Sequence, residues 1–385
     1  MEHAVIAGFA RTPFSFASKG PLVRMRPDNL AAVALRGLID KTGLDPARVE
    51  DVLMGCAYPE GEQGDNVARI ASLLAGLPLE VGAATINRFC GSSMYAIHVA
   101  AGQIAIGAGD AFIAAGVESM SRVPQGGLSF SPNHRFRNGR NQLAEIAAEA
   151  YVPMGQTAEN VAKRYGVERE RQEQLALESQ QKAARAQAEG RLIDEIVPVV
   201  TPEGAIDTDG CLRPQTTVAG LAALRPAFFE DGTVTAGTAS PLTDGAVAVL
   251  VTSERLADKL GLDVLGRIRS TAVAGVDPAY MGIGPVPATQ KALARAGLSI
   301  DEIDVVEINE AFASQAVACR DELGIQRERV NIDGGAISLG HPLGATGARI
   351  TAKAAQILKR NGGRYALATQ CIGGGQGIAT IIEAV

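Results

Sequence analysis

Two kinds of apolar stretch alternate along the chain. Residues 110–115 and 365–369 are apolar almost throughout and predict short buried strands. Residues 52–54, 83–86 and 305–308 predict further strands, as do the first six residues, and residues 244–251 predict a longer one. Residues 27–41 and 286–296 predict helices. Residues 92–108 and 346–359 predict helices of another kind, rich in Ala, Ile and Gly, which should be buried between layers instead of amphipathic on a surface. Strands alternating with helices predict an α/β fold, with helices on both faces of mixed or parallel sheets.

The pattern repeats itself. Gly43-Leu44 recurs as Gly297-Leu298 after an Ala/Leu-rich helix, Val49 recurs as Ile303 ahead of a strand, and the run from Gly109 to Ala115 recurs from Gly363 to Thr369. All three pairs share one offset of 254 positions, which predicts a duplicated strand–helix unit. At that offset Asn87 falls on His341 and Val117 on Cys371, so corresponding turns carry different reactive groups.

Residues 119–243 break the rhythm and are richer in charge, Gln, Pro and Gly. Residues 168–189 predict a long polar helix and residues 131–140 a basic loop. The stretch reads as an insertion within the first half. The expected division is residues 1–118 plus 244–265, the inserted residues 119–243, and a second half at 266–385. Insertions of this kind usually carry recognition.

Composition narrows the class. The 385 residues suffice for two or three domain-sized units, and 46% apolar with 20% charged residues fits a soluble α/β protein. The 44 glycines fall in short clusters, which suggests tight turns and close backbone approaches. A net charge of −6 argues against nucleic acid as the main partner, but a local basic patch could still bind a small anion. Five cysteines, an odd number without CxxC spacing, suggest a reducing compartment. The first residues do not read as a secretory leader, and no apolar run reaches a membrane-spanning length. The expectation is a cytoplasmic protein that uses neither membrane nor metal.

Three segments carry reactive groups. Cys90 follows a strand-like run and precedes a helix, where unpaired N–H groups and the helix dipole should favour thiolate. Taken alone, it could equally be a buried structural thiol. His341 lies in Gly340-His341-Pro342-Leu343-Gly344, a turn that lets an imidazole project and serve as base, or simply order the turn. Cys371 precedes Gly373-Gly374-Gly375, whose freed N–H groups could build an oxyanion hole. The run lacks the Lys-Ser/Thr ending of a phosphate loop. Asn309 ends a strand and could hold a water or donate to a substrate oxygen, or cap the following helix. Cys56, Cys211, Cys319, His3, His98 and His134 have no catalytic setting.

Together, Asn87-Arg88-Phe89-Cys90-Gly91-Ser92-Ser93, Asn309-Glu310-Ala311-Phe312, Gly340 to Gly344 and Cys371 to Gly377 resemble the four active-site motifs of the thiolases, in order and across the whole length. The resemblance implies duplicated α/β halves in a layered α-β-α-β-α sandwich with an inserted loop domain. It also implies a mechanism. Cys90 attacks C3 of a 3-ketoacyl-CoA with His341 as base, Cys371 protonates the departing acetyl-CoA enolate, and free CoA collects the acyl group. Asn309, through a water, and His341 would hold the thioester oxygen, while the amides of Cys90 and Gly373 would hold the acyl-enzyme oxygen. Ser240 matches a pantetheine contact, Arg213 a position near the adenine, Met154 and Phe312 pocket-lining positions, and Met281 the acyl region. CoA and acyl-CoA are then substrates, with no cofactor permanently bound. The resemblance further implies a homodimer or homotetramer that could associate with other β-oxidation enzymes.

Pro153 stands where the acetoacetyl-CoA branch has His, and Gly91-Ser92-Ser93 resembles degradative members. Both favour a degradative 3-ketoacyl-CoA enzyme over the biosynthetic one. A β-ketoacyl synthase would lack Cys371 and carry His in place of Asn309, and a non-catalytic acyl or sterol carrier would lack a reactive residue.

Overall fold

A computed structural model of the chain describes residues 2–133, 136 and 150–385. Most of the expected basic loop, His134, Arg135 and residues 137–140, lies outside the described residues. The strands are β1 (Ala4–Arg11), β2 (Ser15–Phe16), β3 (Asp51–Gly55), β4 (Gly82–Ile86), β5 (Ala111–Ser119), β6 (Val199–Thr201), β7 (Gly204–Ile206), β8 (Thr243–Ser253), β9 (Gly266–Gly275), β10 (Val305–Ile308), β11 (Tyr365–Ile372) and β12 (Gln376–Glu383). The helices are α1 (Pro27–Thr42), α2 (Val67–Leu74), α3 (Ser92–Ala105), α4 (Met154–Arg164), α5 (Arg169–Ala188), α6 (Val218–Ala222), α7 (Glu254–Leu260), α8 (Pro285–Ala296), α9 (Ala313–Leu323), α10 (Ala336–Leu339) and α11 (Leu343–Asn361).

The duplication is visible strand by strand. Neighbours in the first half run β1-β8-β5-β3, and in the second β9-β12-β11-β10. In both, the first two pairings are antiparallel and the third is parallel. Helices α1 and α8 stop at Gly43 and Gly297, with φ of 64° and 69°. A side chain at either position would meet nothing, so the left-handed backbone, and not crowding, selects glycine there. The first half adds β4, parallel to β3, where the second has a single bridge from Val306 to Val330.

The layers follow from what each helix covers. α1 and α2 pack on the outer face of the first half, and α8 and α9 on that of the second. α3 and α11 share the core between them, where Met94, Ile97 and Ile104 meet Ala348, Ile350 and Ile357 beside Val249 of β8 and Ala368 of β11. Small residues let these helices approach. A Cβ at Gly347 would lie 2.5 Å from the Met94 amide nitrogen, and one at Gly116 would strike the Gly344 carbonyl.

Two details differ from the sequence expectation. α11 begins at Leu343 instead of 346, directly after Pro342, which caps it in an extended conformation. The sheets of the two halves are also continuous. β1 pairs with β8 along one edge and with β9 through Val5–Arg267 and Ile6–Gly266 along the other, giving one sheet that runs through both halves.

Between β5 and β8, the polar helix α5 buries Ala176, Ala183 and Ala186 together with amides. Gln180 bonds the Ile337 carbonyl and the Arg213 amide, so its burial leaves no polar atom unpaired. A buried ion network ties the parts together. Arg11 of β1 meets Glu195 and Asp209, and Lys353 of α11 meets Glu195 and Asp333.

Candidate active site

Three turns converge. The first joins β4 to α3 and carries Cys90. The Asn87 side chain accepts from the Phe89 amide at 2.8 Å, and Ser92 Oγ accepts from the Arg88 amide at 2.8 Å and donates to the Phe89 carbonyl at 2.6 Å. These bonds hold Phe89 at φ +43°, a strained conformation for a residue with a side chain. Gly91 lies against Ile372, Gln370 donates to the Cys90 carbonyl, and Arg88 bonds Gln376 at 2.8 Å. The Cys90 turn of one half is thereby fastened to β11 and β12 of the other.

The second turn joins α10 to α11 and carries His341, which is 4% exposed. Its amide donates to Thr243 Oγ1 at 3.0 Å. Ring Nδ1 lies 2.7 Å from Thr346 Oγ1, and Nε2 lies 3.3 Å from Asn309 Nδ2. Gly340 adopts φ 103°, and a Cβ there would strike Thr243. The buried Glu118 carboxylate accepts from the amides of Ala57 and Gly344 at 2.8 and 2.9 Å and from Gln63 Nε2 at 2.8 Å, stitching this turn to the first half. Leu343, two residues past His341, packs in one apolar cluster with Ala57, Tyr58, Met120 and Cys90.

The third turn follows Cys371 at the end of β11. Gly374 and Gly375 adopt φ of 76° and 81°, which frees the Gly373 amide. That amide, with the amide of Cys90 itself, reaches the Cys90 sulfur, and Cys371 lies close enough to feel the charge of Cys90. Asn309 is not a helix cap. Phe312 occupies that position for α9, and the Asn309 side-chain nitrogen turns to His341 while its buried Oδ1 has no hydrogen-bond partner among the described residues.

Electrostatics correct one sequence expectation. Burial pushes the Cys90 thiol up to about 11, aided by the Glu118 charge and only partly offset by the two amides. Cys90 lies two residues ahead of α3, so the helix end does not outweigh desolvation. Burial also drives His341 down to about 4, holds Cys371 well above its ordinary value, and takes Tyr58 up to about 12. At neutral pH the resting site is two thiols and a neutral imidazole.

Met154, Phe312 and Met281 gather with Ala239 and Cys371 in one apolar cluster, separate from the one that holds Cys90. Ser240 donates to the Ala311 carbonyl at 3.1 Å beside this cluster. Arg213 belongs to neither cluster. Burial lowers its pKa, and its guanidinium lies 5.8 Å from the Phe16 ring centroid. Sequence reasoning missed Thr346, Glu118, Gln370 and Tyr58. Thr346 lies five residues past His341 at the repeat equivalent of Ser92, a position the offset pointed to.

A thiol, an imidazole and a second thiol, with amides aimed at the first sulfur, define on this duplicated fold an enzyme of acyl-carbon chemistry. Residues 4–255 match the thiolase N-terminal domain and residues 262–384 the thiolase C-terminal domain. The chain belongs to the thiolase family. It is 48% identical to the 3-ketoacyl-CoA thiolase of Bacillus subtilis (strain 168) and 45% identical to that of Vibrio vulnificus (strain YJ016), in each case over all of both chains. The crystal structure of human mitochondrial 3-ketoacyl-CoA thiolase superposes with a TM-score of 0.90 at 38% identity, covering 100% of this chain and 99% of that one. A second structure of the human enzyme, in complex with CoA, gives the same TM-score.

Proposed function

We propose that the protein cleaves 3-ketoacyl-CoA with free CoA, releasing acetyl-CoA and an acyl-CoA shortened by one two-carbon unit, in fatty-acid breakdown. The carrying observation is the fastening of the Cys90 turn to β11 on both sides of Cys371, where Gln370 donates to the Cys90 carbonyl and Ile372 lies against Gly91. Cys90 gives its proton to His341 as it attacks the keto carbon, and the amides of Cys90 and Gly373 take the developing oxyanion. The C2–C3 bond breaks, and the electron pair goes to the acetyl-CoA enolate, whose oxygen Asn309 (through a water) and His341 stabilise. Cys371 supplies the proton to C2. CoA gives its thiol proton to Cys371 and takes the acyl group from Cys90, and His341 returns its proton to the departing Cys90 sulfur. Each oxyanion donor contributes about 3 kcal/mol to the barrier reduction. No permanent cofactor is needed.

In this reading residues 119–243 form the loop domain that seats CoA. Met154 and Ser240 lie against the Cys371 side of the site, which supports it. Arg213 then serves the adenine end, and Met281 faces the acyl group. Two tests separate the steps. Acetyl-CoA should acetylate Cys90, as read by peptide mass spectrometry, and a label found elsewhere or nowhere rejects the nucleophile. Cys371→Ala should still acetylate but lose proton exchange at acetyl-CoA C2, and retained exchange rejects its acid/base role. Thiolysis of 3-ketoacyl-CoA thioesters of graded length fixes the range, and activity confined to acetoacetyl-CoA would turn the reading to the biosynthetic branch.

We also propose a cytoplasmic homo-oligomer that is able to associate with other β-oxidation enzymes. Among the described residues, no helix is long and apolar enough to cross a membrane. β4 ends the sheet, and Leu73 and Leu74 of α2 are 42% and 51% exposed, a surface suited to a second copy.

A further inference from the structure

The ring of His341 makes two hydrogen bonds among the described residues, and together they determine its tautomer. Thr346 Oγ1 lies 2.7 Å from Nδ1 and 3.0 Å from the Pro342 carbonyl, one turn back along the chain. A hydroxyl has one proton to give and two lone pairs to receive. The Pro342 carbonyl can only accept, so a proton donated to it leaves Oγ1 free to accept from Nδ1–H. At the far side of the ring the Asn309 amide nitrogen, a donor, faces Nε2 at 3.3 Å, so Nε2 must present its lone pair. Both contacts select the same state, with the proton on Nδ1 and the lone pair on Nε2.

The location of the hydroxyl makes this consequential. No carboxylate bonds the ring among the described residues, so the second nitrogen has no charged partner of the kind that orients the base in many acyl-transfer enzymes. With both ring nitrogens buried, these two neighbours must outweigh the modest intrinsic preference of a histidine ring for the Nε2–H form. If Nε2 held the proton, the nitrogen facing Asn309 could not receive the one leaving Cys90. Thr346 also occupies the repeat equivalent of Ser92, whose hydroxyl closes the Cys90 turn by donating to the Phe89 carbonyl. One duplicated hydroxyl thus shapes the nucleophile turn in the first half and faces the base in the second.

We infer that Thr346 is a positioning residue that fixes His341 in the Nδ1–H tautomer and so makes Nε2 the base. The inference rests on the reading of His341 as the base. As Cys90 reacts, its proton passes to Nε2. The resulting imidazolium keeps donating from Nδ1 to Thr346 Oγ1, whose own hydroxyl keeps donating to the Pro342 carbonyl oxygen.

The test uses the full chain labelled with nitrogen-15 histidine; with four histidines in the sequence, one His341 variant assigns the signal. Two-bond nitrogen–proton correlation should show His341 protonated at Nδ1. Thr346→Val should mix or invert the tautomer and slow Cys90 acetylation by acetyl-CoA about 10- to 100-fold, and Thr346→Ser should keep both within about threefold of the parent. A parent protein protonated at Nε2 overturns the inference. So does a folded T346V with an unchanged tautomer, whatever its activity. A parent that shows the expected tautomer but neither acetylates Cys90 nor cleaves any 3-ketoacyl-CoA rejects the proposed function instead, and the two failures are distinguishable.

Discussion

Single residues in this protein act through what burial does to their charge. Cys90 and His341 rest neutral because desolvation moves the thiol up and the imidazole down, away from each other. The motif around Cys90 announced a nucleophile but not this protonation state, which depends on how much of the chain closes over it. His98 shows the same effect away from the chemistry. It bonds Thr380 at 2.8 Å, and burial with the nearby charges of Arg88 and Arg295 lowers it from 6.5 to about 3. The folded state therefore resists a proton that the unfolded chain accepts below about pH 6.5, so this histidine contributes stability at neutral pH that is lost as pH falls towards 3. Between pH 7 and 5 the parent should lose about 1–2 kcal/mol relative to His98→Gln in urea titrations. A difference that stays constant with pH rejects the assignment.

The elements were largely legible because their signals are local. The apolar runs at β5, β10 and β11 and the all-round apolar helices α3 and α11 could be read directly, and the 254-residue offset fixed their correspondence. Hidden from the sequence were contacts that have no period. The two-pair link from β1 to β9 leaves no mark in either strand. Thr346 in a Gly/Ala run reads as small-residue filler, and Glu118 reads as the end of a strand. Glycines in α11 carry a sharper message than helix propensity. Gly347 lies against the Met94 backbone, which cannot swing aside as a side chain could. Gly347→Ala should therefore destabilise by about 1–3 kcal/mol despite alanine's better helix propensity, as read by chemical denaturation. A gain in stability would mean that α3 and α11 are not in this contact.

At the scale of the molecule, the site exists only because two copies of one unit face each other and share α3 and α11. Neither half holds the whole site, since Cys90 belongs to the first and Asn309, His341 and Cys371 to the second. The free edge of β4 predicts assembly. Light scattering should give a dimer or tetramer, and charge placed on the edge, as in Ala84→Lys, should shift it towards monomer; a monomeric parent at micromolar concentration sinks the proposal. The arrangement of β1 also dictates an order of events during synthesis. This strand is made long before its ladder partners, which begin at Val247 and Gly266. The apolar segment Ala4–Arg11 therefore has no ladder strand to zip onto when it is made, and it must wait, kept from the wrong companions, until some 240 later residues have followed.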